Sequence, residues 1–505
     1  MKIDCSGIME LNVQRRYKAP VMFMGFLLYS FILLFFCTMS SPLYYFNNWD
    51  DANAYFTMGK GLFNGKVIYQ ELFDHKGPLL YFIFGIGYLI SNTSFFGVYI
   101  LQSLSLAVTL FFLYKIVSLF IQNKFVLLVV PLYSALLLGS RIIEEGGSAE
   151  EFMLPFISAG LFYSLRIFAL NGDGKFNAKT SFILGFCTAA IFLIKLNIVM
   201  MFFPFLAIAF LELLFKRQYK NVLFNGLGYI LGLSVTILPF FLFFIITNSL
   251  FDAYMAYIKF NTLYANVEIG LGTLLLFIIT VLQAFYTNAT VSVLLLYGLV
   301  VFILSGKYLS ITGKISLFLS FAALLFVSYG IGRNYRYNYI PVTVFIVFAI
   351  VMLIEILPDI LKKNKWYGII LVVMMIPMNK NISYSKLFSD EPLAVIFSRM
   401  VKTEPNPDII YYDMLDFGIQ NVVGFTPSQK YYYHPGISSD VFPEILNKQE
   451  EAIKNKAVSF VLVTDINTIK NGKPEFYNIL INNYEILGQA VEKRREYTLL
   501  RVNGQ

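Results

Sequence analysis

The feature that most constrains this chain is a series of long apolar runs. They last about 15–25 residues, the length of a membrane-spanning helix, whereas a transmembrane strand needs only about 10. With 57% hydrophobic residues among 505, and a mean hydropathy of +0.66, the chain carries too much apolar surface for a soluble fold. The sequence therefore predicts an α-helical polytopic membrane protein and disfavours an outer-membrane barrel.

The basic residues indicate an orientation in the membrane rather than a nucleic-acid partner. The net charge is +8, but most Lys and Arg lie in short loops between apolar runs, which is the positive-inside pattern. The first run, Val21 to Ser40, follows Arg15, Arg16 and Lys18 and is longer than the apolar part of a usual signal peptide. We expect an uncleaved anchor in the plasma (inner) membrane with a cytoplasmic N-terminus.

Charge alternation between the runs predicts about eleven spans, by the same basic-loop rule. Pro78 to Ile90 is too short to cross about 30 Å of hydrocarbon and is predicted to be interfacial or re-entrant. The runs between Leu271 and Leu304 keep the charge rule only if they count as one crossing, so Leu271 to Phe285 is predicted to be partly interfacial.

The composition changes after Met378. Residues 1–379 are predicted to form the transmembrane domain, with outer loops at 42–77 and 140–151. Residues 380–505 are predicted to form a small extracytoplasmic α/β domain, because short strand-like runs at Ile409–Tyr412, Phe460–Val463 and Tyr497–Val502 accompany a helical pattern at Val441–Lys456.

The first outer loop concentrates ionisable side chains in a protein that is only 14% charged. Asp50 and Asp51 open one segment, and Asp74, His75 and Lys76 precede Pro78, all where the chain is expected to leave the bilayer. A carboxylate here can act as a general base, bind a divalent metal ion, or simply cap a helix. A base is the favoured interpretation.

The second outer loop is acidic and lies at the mouth of a span. Glu150 and Glu151 directly precede an apolar run, so their carboxylates are expected near the membrane face, where Glu151 could share a metal ion with Asp51. Glu144 and Glu145 can equally be solvated loop charges. Arg141, in the same loop, is a candidate phosphate contact.

Basic residues on the outer side are less expected and therefore informative. Arg333 and Arg336 flank a tyrosine-rich entry to a span that includes Tyr337, and guanidinium groups bind phosphates with fork geometry. Aromatic anchoring at the interface explains the tyrosines without any binding role. Lys195, between two apolar runs, can snorkel to the interface or bind a phosphate.

Other chemistries lack their sequence signatures. No GxSxG, Walker loop or CxxC is present, which argues against hydrolase, ATPase and redox functions. Cys5, Cys37 and Cys187 are scattered and predict no disulfide framework. His434 is expected to be a surface or loop residue, and the alternative is that it faces the active site.

The order of these residues resembles the GT-C superfamily of membrane glycosyltransferases, in the branch of protein O-mannosyltransferases and lipid A aminoarabinose transferases. Asp51, Tyr55, Gly65 and HKGPLLY from His75 follow that branch's acid, aromatic residue, glycine and H-K/P-P-L element, with Gly77 where a first proline is often found.

Later parts of the chain are also similar to this branch. Glu150–Glu151 stands ahead of Leu154 and Phe156 like a second acidic motif, and Lys195 in FLIKLN is similar to a lysine at the outer end of a middle span. RNYRYNYIP is similar to a late basic-aromatic element. The resemblance covers roughly residues 20–345.

The resemblance implies transfer of a sugar, with inversion, from a polyprenyl-phosphate donor to an extracytoplasmic glycan, lipid or protein acceptor. Asp51 would be the base, with Asp50 or Glu151 as a supporting acid or metal ligand. The implied phosphate-binding group is Lys195, Arg333 and Arg336. Ala52 stands where many relatives have Glu, and Asn338 where many have His, which bears on metal dependence.

Other functions remain open at this point. A flippase or transporter of lipid-linked sugars would also need outward arginines, but it should show two related halves with broken helices. A polysaccharide polymerase or ligase would share the lipid donor. A membrane anchor for the tail domain would not need acids at two loop mouths. Membrane lipids are expected partners, and nucleic acid is not.

Overall fold

The computed structural model describes residues 5–122, 124–140, 142–170, 172, 174–265, 271–330, 334–356, 366–492 and 494–504. Apolar helices form most of the chain up to residue 378. The α-helices of this part are Cys5–Cys37, Asp50–Phe63, Pro78–Ile90, Phe96–Phe120, Val129–Leu138, Ala149–Phe168, Ala178–Phe192, Phe203–Phe215, Tyr219–Ile246, Leu250–Ala253, Phe260–Ala265, Leu271–Thr287, Ala289–Leu304, Ile311–Tyr329, Ile346–Ile356 and Trp366–Met378.

Shorter helical turns join several of these helices. A π-helix lies at Tyr254–Lys259. The 3₁₀ turns are Lys124–Leu128, Leu196–Phe202, Arg336–Tyr339, Pro341–Phe345 and Lys380–Tyr384.

Seven helices within the described residues are long and apolar enough to cross a membrane. A further pair, Gly272–Thr287 and Ala289–Leu304, is bent by 109° and raises the number to at most 8 if it forms one span. Pro78–Ile90 is among the shorter apolar helices, as predicted. The helical membrane architecture is confirmed, while the predicted number of about eleven spans is not.

Small residues let neighbouring helices approach closely. In the packing of Ala178–Phe192 against Tyr219–Ile246, a Cβ added to Gly232 would lie 2.1 Å from the carbonyl oxygen of Phe182. Apolar side chains gain little by leaving lipid, so close backbone contact of this kind is a main source of helix association in a membrane.

The C-terminal part contains a four-stranded sheet in the order β1-β2-β4-β3, where β1 is Ile409–Tyr411, β2 Phe460–Thr464, β3 Tyr484–Glu492 and β4 Arg495–Val502. β1 pairs parallel with β2, and the other pairs are antiparallel. Its helices are Leu393–Val401, Ile419–Val423, Glu444–Lys454, Ile466–Gly472 and Pro474–Asn483. A small C-terminal α/β unit is thus confirmed, although sequence patterns did not predict β3.

The C-terminal unit packs directly on the first outer loop. The Phe73 N–H donates to the Lys430 carbonyl at 3.0 Å, and the Asn421 amide donates to the Asn53 carbonyl at 3.0 Å. A predicted boundary at residues 379 and 380 stays a prediction. For the site, the important observation is that residues before and after this predicted boundary meet around the first outer loop.

Candidate active site

The paired acids open the Asp50–Phe63 helix. Trp49 occupies the N-cap position and makes no side-chain capping bond, while the Asp51 N–H donates to Asp50 Oδ1 at 2.9 Å. Both carboxylates lie in the first helical turn, where the helix dipole favours negative charge. Capping therefore accounts for part of this pair's placement, but both residues also line a cavity.

This cavity, which we call the lysine cavity, has a volume of about 640 Å³. It brings together residues from the first outer loop, the end of the Ala178–Phe192 helix, the tyrosine-rich segment and the C-terminal unit. The lining residues are Trp49, Asp50, Asp51, His75, Lys76, Glu144, Lys195, Leu196, Asn197, Tyr257, Asn261, Thr262, Ser328, Tyr335, Tyr337, Asn338, Leu415, Pro435 and Gly436. Six of the predicted site residues thus share one cavity.

His75 and Lys76 reach the cavity from a tightly held turn. His75 Nδ1 lies 3.2 Å from Asp74 Oδ1, and His75 Nε2 lies 2.9 Å from Lys76 Nζ. Asp74 also accepts hydrogen bonds from Tyr81 and from Tyr433 of the C-terminal unit, both at 2.9 Å. Residues of the Pro78–Ile90 helix and of the C-terminal unit thus both hold the turn in place.

Gly77 explains why this turn lies against the Lys195 segment. Its N–H donates to the Ile194 carbonyl at 3.1 Å, and an added Cβ would lie 2.0 Å from the Leu193 carbonyl oxygen. A proline at this position would lack the N–H donor. The departure from the motif therefore has a structural reason in this chain.

Lys195 is held by partners from two other segments. Its Nζ lies 2.5 Å from Glu150 Oε1 and 3.0 Å from Asn338 Oδ1, and 5.7 Å from the centre of the Tyr337 ring. Glu150 is 2% exposed, whereas the Lys195 side chain is 22% exposed. The predicted sites at Glu150, Lys195 and Tyr337 are therefore brought together, with Glu150 behind the lysine rather than on the cavity surface.

Glu151 has a different environment from Glu150. It completes a capping box with Ser148: its Oε1 accepts the Gly147 and Ser148 N–H groups at 3.0 Å, and its Oε2 accepts from Gln102 at 2.9 Å. Both carboxylate oxygens are thus engaged in holding the helix start. The geometry favours a structural role for Glu151.

The donor atoms also bear on the predicted metal ion. Within the part of the chain that the structure describes, no group of three or more His, Cys, Asp or Glu side chains is arranged to hold a metal. With Glu151 engaged in the capping box, the Asp51–Glu151 pair does not fit as a metal site. The divalent metal stays a prediction.

Of the three predicted arginines, only Arg336 lies among the described residues, and it does not contribute to the lysine cavity. Arg141 and Arg333 lie outside the described residues. Arg336 begins a 3₁₀ turn, and its side chain is exposed and does not line the lysine cavity. The tyrosines beside it do: Tyr335 and Tyr337 stack with ring centres 5.1 Å apart.

The carboxylates of the outer loop differ in their proton affinity. Burial, and next the neighbouring Asp51 carboxylate, raise the pKa of Asp50 to about 7. Burial also acts to raise the pKa of Asp74, but His75 and Lys76 outweigh it and hold that pKa well below its usual range. Asp74 is therefore a fixed anion, whereas Asp50 can exchange a proton near neutral pH.

Sequence reasoning missed a buried polar network that joins this helix to the tail. Thr57 accepts a hydrogen bond from Gln420 at 2.8 Å, Gln420 also donates to Asp416, and the Lys60 ammonium lies 3.4 Å from the Gln420 carbonyl oxygen. Burial lowers the pKa of Lys60 to about 7. The available signal was the spacing of Asn53, Thr57 and Lys60 on one face of the helix.

Comparisons with known proteins agree with this architecture. Residues 75–243 match the family described as dolichyl-phosphate-mannose-protein mannosyltransferase. The structure is similar to ArnT from Cupriavidus metallidurans bound to undecaprenyl phosphate, with a TM-score of 0.65, 10% identity, and coverage of 94% of this chain and 97% of that one. The apo state of the same protein gives a TM-score of 0.60 with 10% identity and 98% coverage of both chains. Comparison with curated protein sequences gives no significant match.

The fold and the family match together define the class. The resemblance to GT-C membrane glycosyltransferases is confirmed, and the chain is an integral membrane glycosyltransferase with a GT-C fold. The stretch matched by the mannosyltransferase family begins at His75, inside the candidate active site, and includes Glu150 and Lys195.

Proposed function

We propose that this protein transfers a sugar from a polyprenyl-phosphate-linked donor to a hydroxyl group of an extracytoplasmic glycan, lipid or protein. The observation that carries the proposal is the lysine cavity itself, where the Asp50–Asp51 pair shares one space with the ammonium groups of Lys76 and Lys195. Transfer of the sugar breaks its bond to the phosphate, and both groups assist this step. A base accepts the proton of the incoming hydroxyl, and cations stabilise the departing phosphate.

Lys195 is suited to bind the phosphate of the donor. An ammonium group has three hydrogen-bond donors, and Glu150 and Asn338 account for two of them. The neighbouring Tyr335 and Tyr337 line the same wall and can add hydroxyl donors. The similar ArnT structure is one bound to undecaprenyl phosphate, which supports a polyprenyl phosphate as the donor's lipid part.

The proposed step is a single displacement at the anomeric carbon. Asp51 removes the proton of the acceptor hydroxyl as the acceptor oxygen bonds to that carbon, and the bond from the carbon to the phosphate oxygen breaks. The phosphate oxygen keeps the electron pair, so the products are the glycosylated acceptor and polyprenyl phosphate. Attack opposite to the leaving group inverts the anomeric configuration.

Asp50 supports the transfer step through its charge. When Asp50 is ionised, its negative charge in the shared cavity stabilises the positive charge that develops at the anomeric carbon while Asp51 takes the proton. Since the pKa of Asp50 is about 7, this support grows as the pH rises through neutrality. The step accordingly uses side chains of this chain alone.

The test uses purified full-length protein and a polyprenyl-phosphate donor with a radiolabelled sugar. We expect the native chain to release polyprenyl phosphate and Asp51→Asn to lose about 10²–10⁴-fold in rate while still binding the lipid. Glu71→Gln is the matched control, because Glu71 is an exposed carboxylate of the same loop outside the cavity. Equal turnover by Asp51→Asn and native protein contradicts the assignment of the base.

The same preparation distinguishes transfer from transport. In vesicles loaded with labelled donor, a glycosyltransferase breaks the sugar-phosphate bond, whereas a flippase moves the intact lipid between leaflets. Transbilayer movement with the bond intact would contradict the proposed function.

A further inference from the structure

A second cavity adjoins the first on the side of the C-terminal unit. It has a volume of about 400 Å³, and Trp49, Asp50, Leu415 and Gly436 line both cavities. The tip of the β3–β4 hairpin forms part of its wall. Asp50 is therefore accessible from two spaces, of which only the first contains Asp51 and the lysines.

Carboxylates dominate this second space, which we call the carboxylate cavity. They come from the first loop, the second loop and the tail, and a single arginine opposes them among the described lining residues. The charged lining side chains are Asp50, Glu145, Asp413, Asp416, Glu492 and Arg495. Ionised carboxylates only accept hydrogen bonds, so they favour a ligand rich in donors and disfavour an anionic one.

His434 supplies independent evidence for a ligand. The residue is 5% exposed and lines the carboxylate cavity. Its Nδ1 accepts a hydrogen bond from the Gly436 N–H at 3.3 Å, but no described residue provides a partner for its Nε2. A buried polar atom without a partner costs free energy unless a bound molecule satisfies it.

Aromatic surface lies beside these polar groups. The rings of Phe417 and Tyr497 are 5.0 Å apart, and both residues line the cavity together with Trp49. An aromatic wall with a few fixed polar groups is typical of small-molecule sites. A sugar ring has the complementary surface, with apolar C–H faces and a rim of hydroxyl donors.

We propose that the carboxylate cavity binds the acceptor, and that this acceptor is a saccharide unit without negative charge. Its hydroxyl extends past Asp50, which lines both cavities, to reach Asp51 in the lysine cavity, while the donor phosphate lies against the lysines. The inference rests on the proposed function and adds the chemical class of the acceptor. His434 and the tail carboxylates hold the saccharide rather than act on the transferred sugar.

Trp49 offers a direct readout, because it lines both cavities and the chain has only 2 tryptophans. In a Trp366→Phe background, its fluorescence is titrated with a neutral cellotriose, a cationic glucosamine trimer and an anionic trigalacturonate. We expect saturable changes with the first two and roughly tenfold weaker binding of the third. Fluorine NMR of the unsubstituted chain labelled with 5-fluorotryptophan gives the same readout without any substitution.

Charge reversal at the accessible carboxylates of the C-terminal unit tests whether their charge causes the preference against an anionic saccharide. Asp413→Lys and Glu492→Lys should each lower the binding affinity for the cationic trimer and raise the affinity for the anionic trimer several-fold. Glu475→Lys is the matched control, an exposed carboxylate of the same unit that does not line the cavity. Unchanged preferences in both reversal variants would overturn the proposal, as would a native chain that binds none of the trimers or prefers the anionic one.

Donor hydrolysis separates this inference from the proposed function. Without a saccharide, water takes the place of the acceptor, and release of polyprenyl phosphate should be the same in the native chain and in the Glu475→Lys control, because Glu475 lines neither cavity. A native chain that releases no polyprenyl phosphate to water or to any saccharide would overturn the proposed function, whereas release to water without binding of any trimer would overturn the acceptor assignment alone. Cellotriose offered free and attached to a lipid tail distinguishes a soluble from a membrane-borne source, and binding of either form supports a saccharide acceptor.

Discussion

The two cavities share the same carboxylate and differ in what surrounds it. In the lysine cavity, Lys76 and Lys195 face Asp50 and Asp51, whereas in the carboxylate cavity Asp50 faces further acids of the tail. A phosphate is attracted to the first space and repelled from the second. The difference teaches that, on the proposed function, the neighbours of Asp50 give this one carboxylate a donor side and an acceptor side.

The largest expected effect is that of substituting Lys195, which lines the lysine cavity and not the carboxylate cavity. Lys195→Met leaves the buried Glu150 carboxylate without its partner, which costs about 3–5 kcal/mol in the free energy of unfolding. We expect a lower melting temperature and loss of polyprenyl phosphate binding. Lys195→Met combined with Glu150→Gln removes the unpaired charge, so it should recover stability without recovering lipid binding.

Two measurements decide this prediction: thermal unfolding in detergent and binding of polyprenyl phosphate. The control is Lys216→Met, which breaks an exposed pair with Glu212 worth only about 0.3–0.5 kcal/mol. If the double variant binds the lipid as well as native protein does, Lys195 has no part in donor recognition.

A smaller effect is expected at Gly77. Gly77→Ala forces a Cβ against the Leu193 carbonyl and should cost about 1–3 kcal/mol of stability, while moving the turn that carries Lys76. Donor affinity should fall, and Trp49 fluorescence should still report saccharide binding. Gly65→Ala, at a glycine with open space around it but a positive φ, controls for backbone strain. If Gly77→Ala lowers saccharide binding as much as it lowers donor affinity, the two cavities are not independent.

The smallest effect is expected at Arg336. Its side chain is exposed and outside the lysine cavity, so Arg336→Gln should change the donor KM by no more than about twofold, a change within about 0.5 kcal/mol. Steady-state kinetics at low and high salt check this. A tenfold rise in KM would restore the phosphate-binding role that the sequence suggested for this arginine.

How far the sequence predicts the molecule depends on the range of the interactions. Pro78–Ile90 is a helix over the predicted residues, because an unbroken apolar run in lipid must satisfy its backbone hydrogen bonds internally. β3 was missed because Tyr484–Glu492 is a polar edge strand whose partner β4 defines it. The local sequence pattern of Tyr484–Glu492 does not show with which strand it pairs.

The site shows the same division. The acids and lysines were found because charge is conspicuous in an apolar chain, and Asp51, His75, Lys76 and Lys195 do share a cavity. His434 was expected to be a surface or loop residue or to face the active site, and the structure places it in a loop but buries it on the wall of the carboxylate cavity, which it shares with Asp50. Its backbone N–H donates to the Met414 carbonyl at 2.8 Å, so its burial depends on packing between segments of the C-terminal unit, which no short motif describes.

The most direct test of the central claim is the pH dependence of sugar transfer in a single turnover. Because burial and Asp51 raise the pKa of Asp50 to about 7, the native rate should rise with pH and level off above that value. Asp50→Asn should remove this rise, and Asp51→Asn should lower the rate about 10²–10⁴-fold throughout. A native pH profile in Asp50→Asn, together with a native rate in Asp51→Asn, would contradict a reaction centre built on this pair.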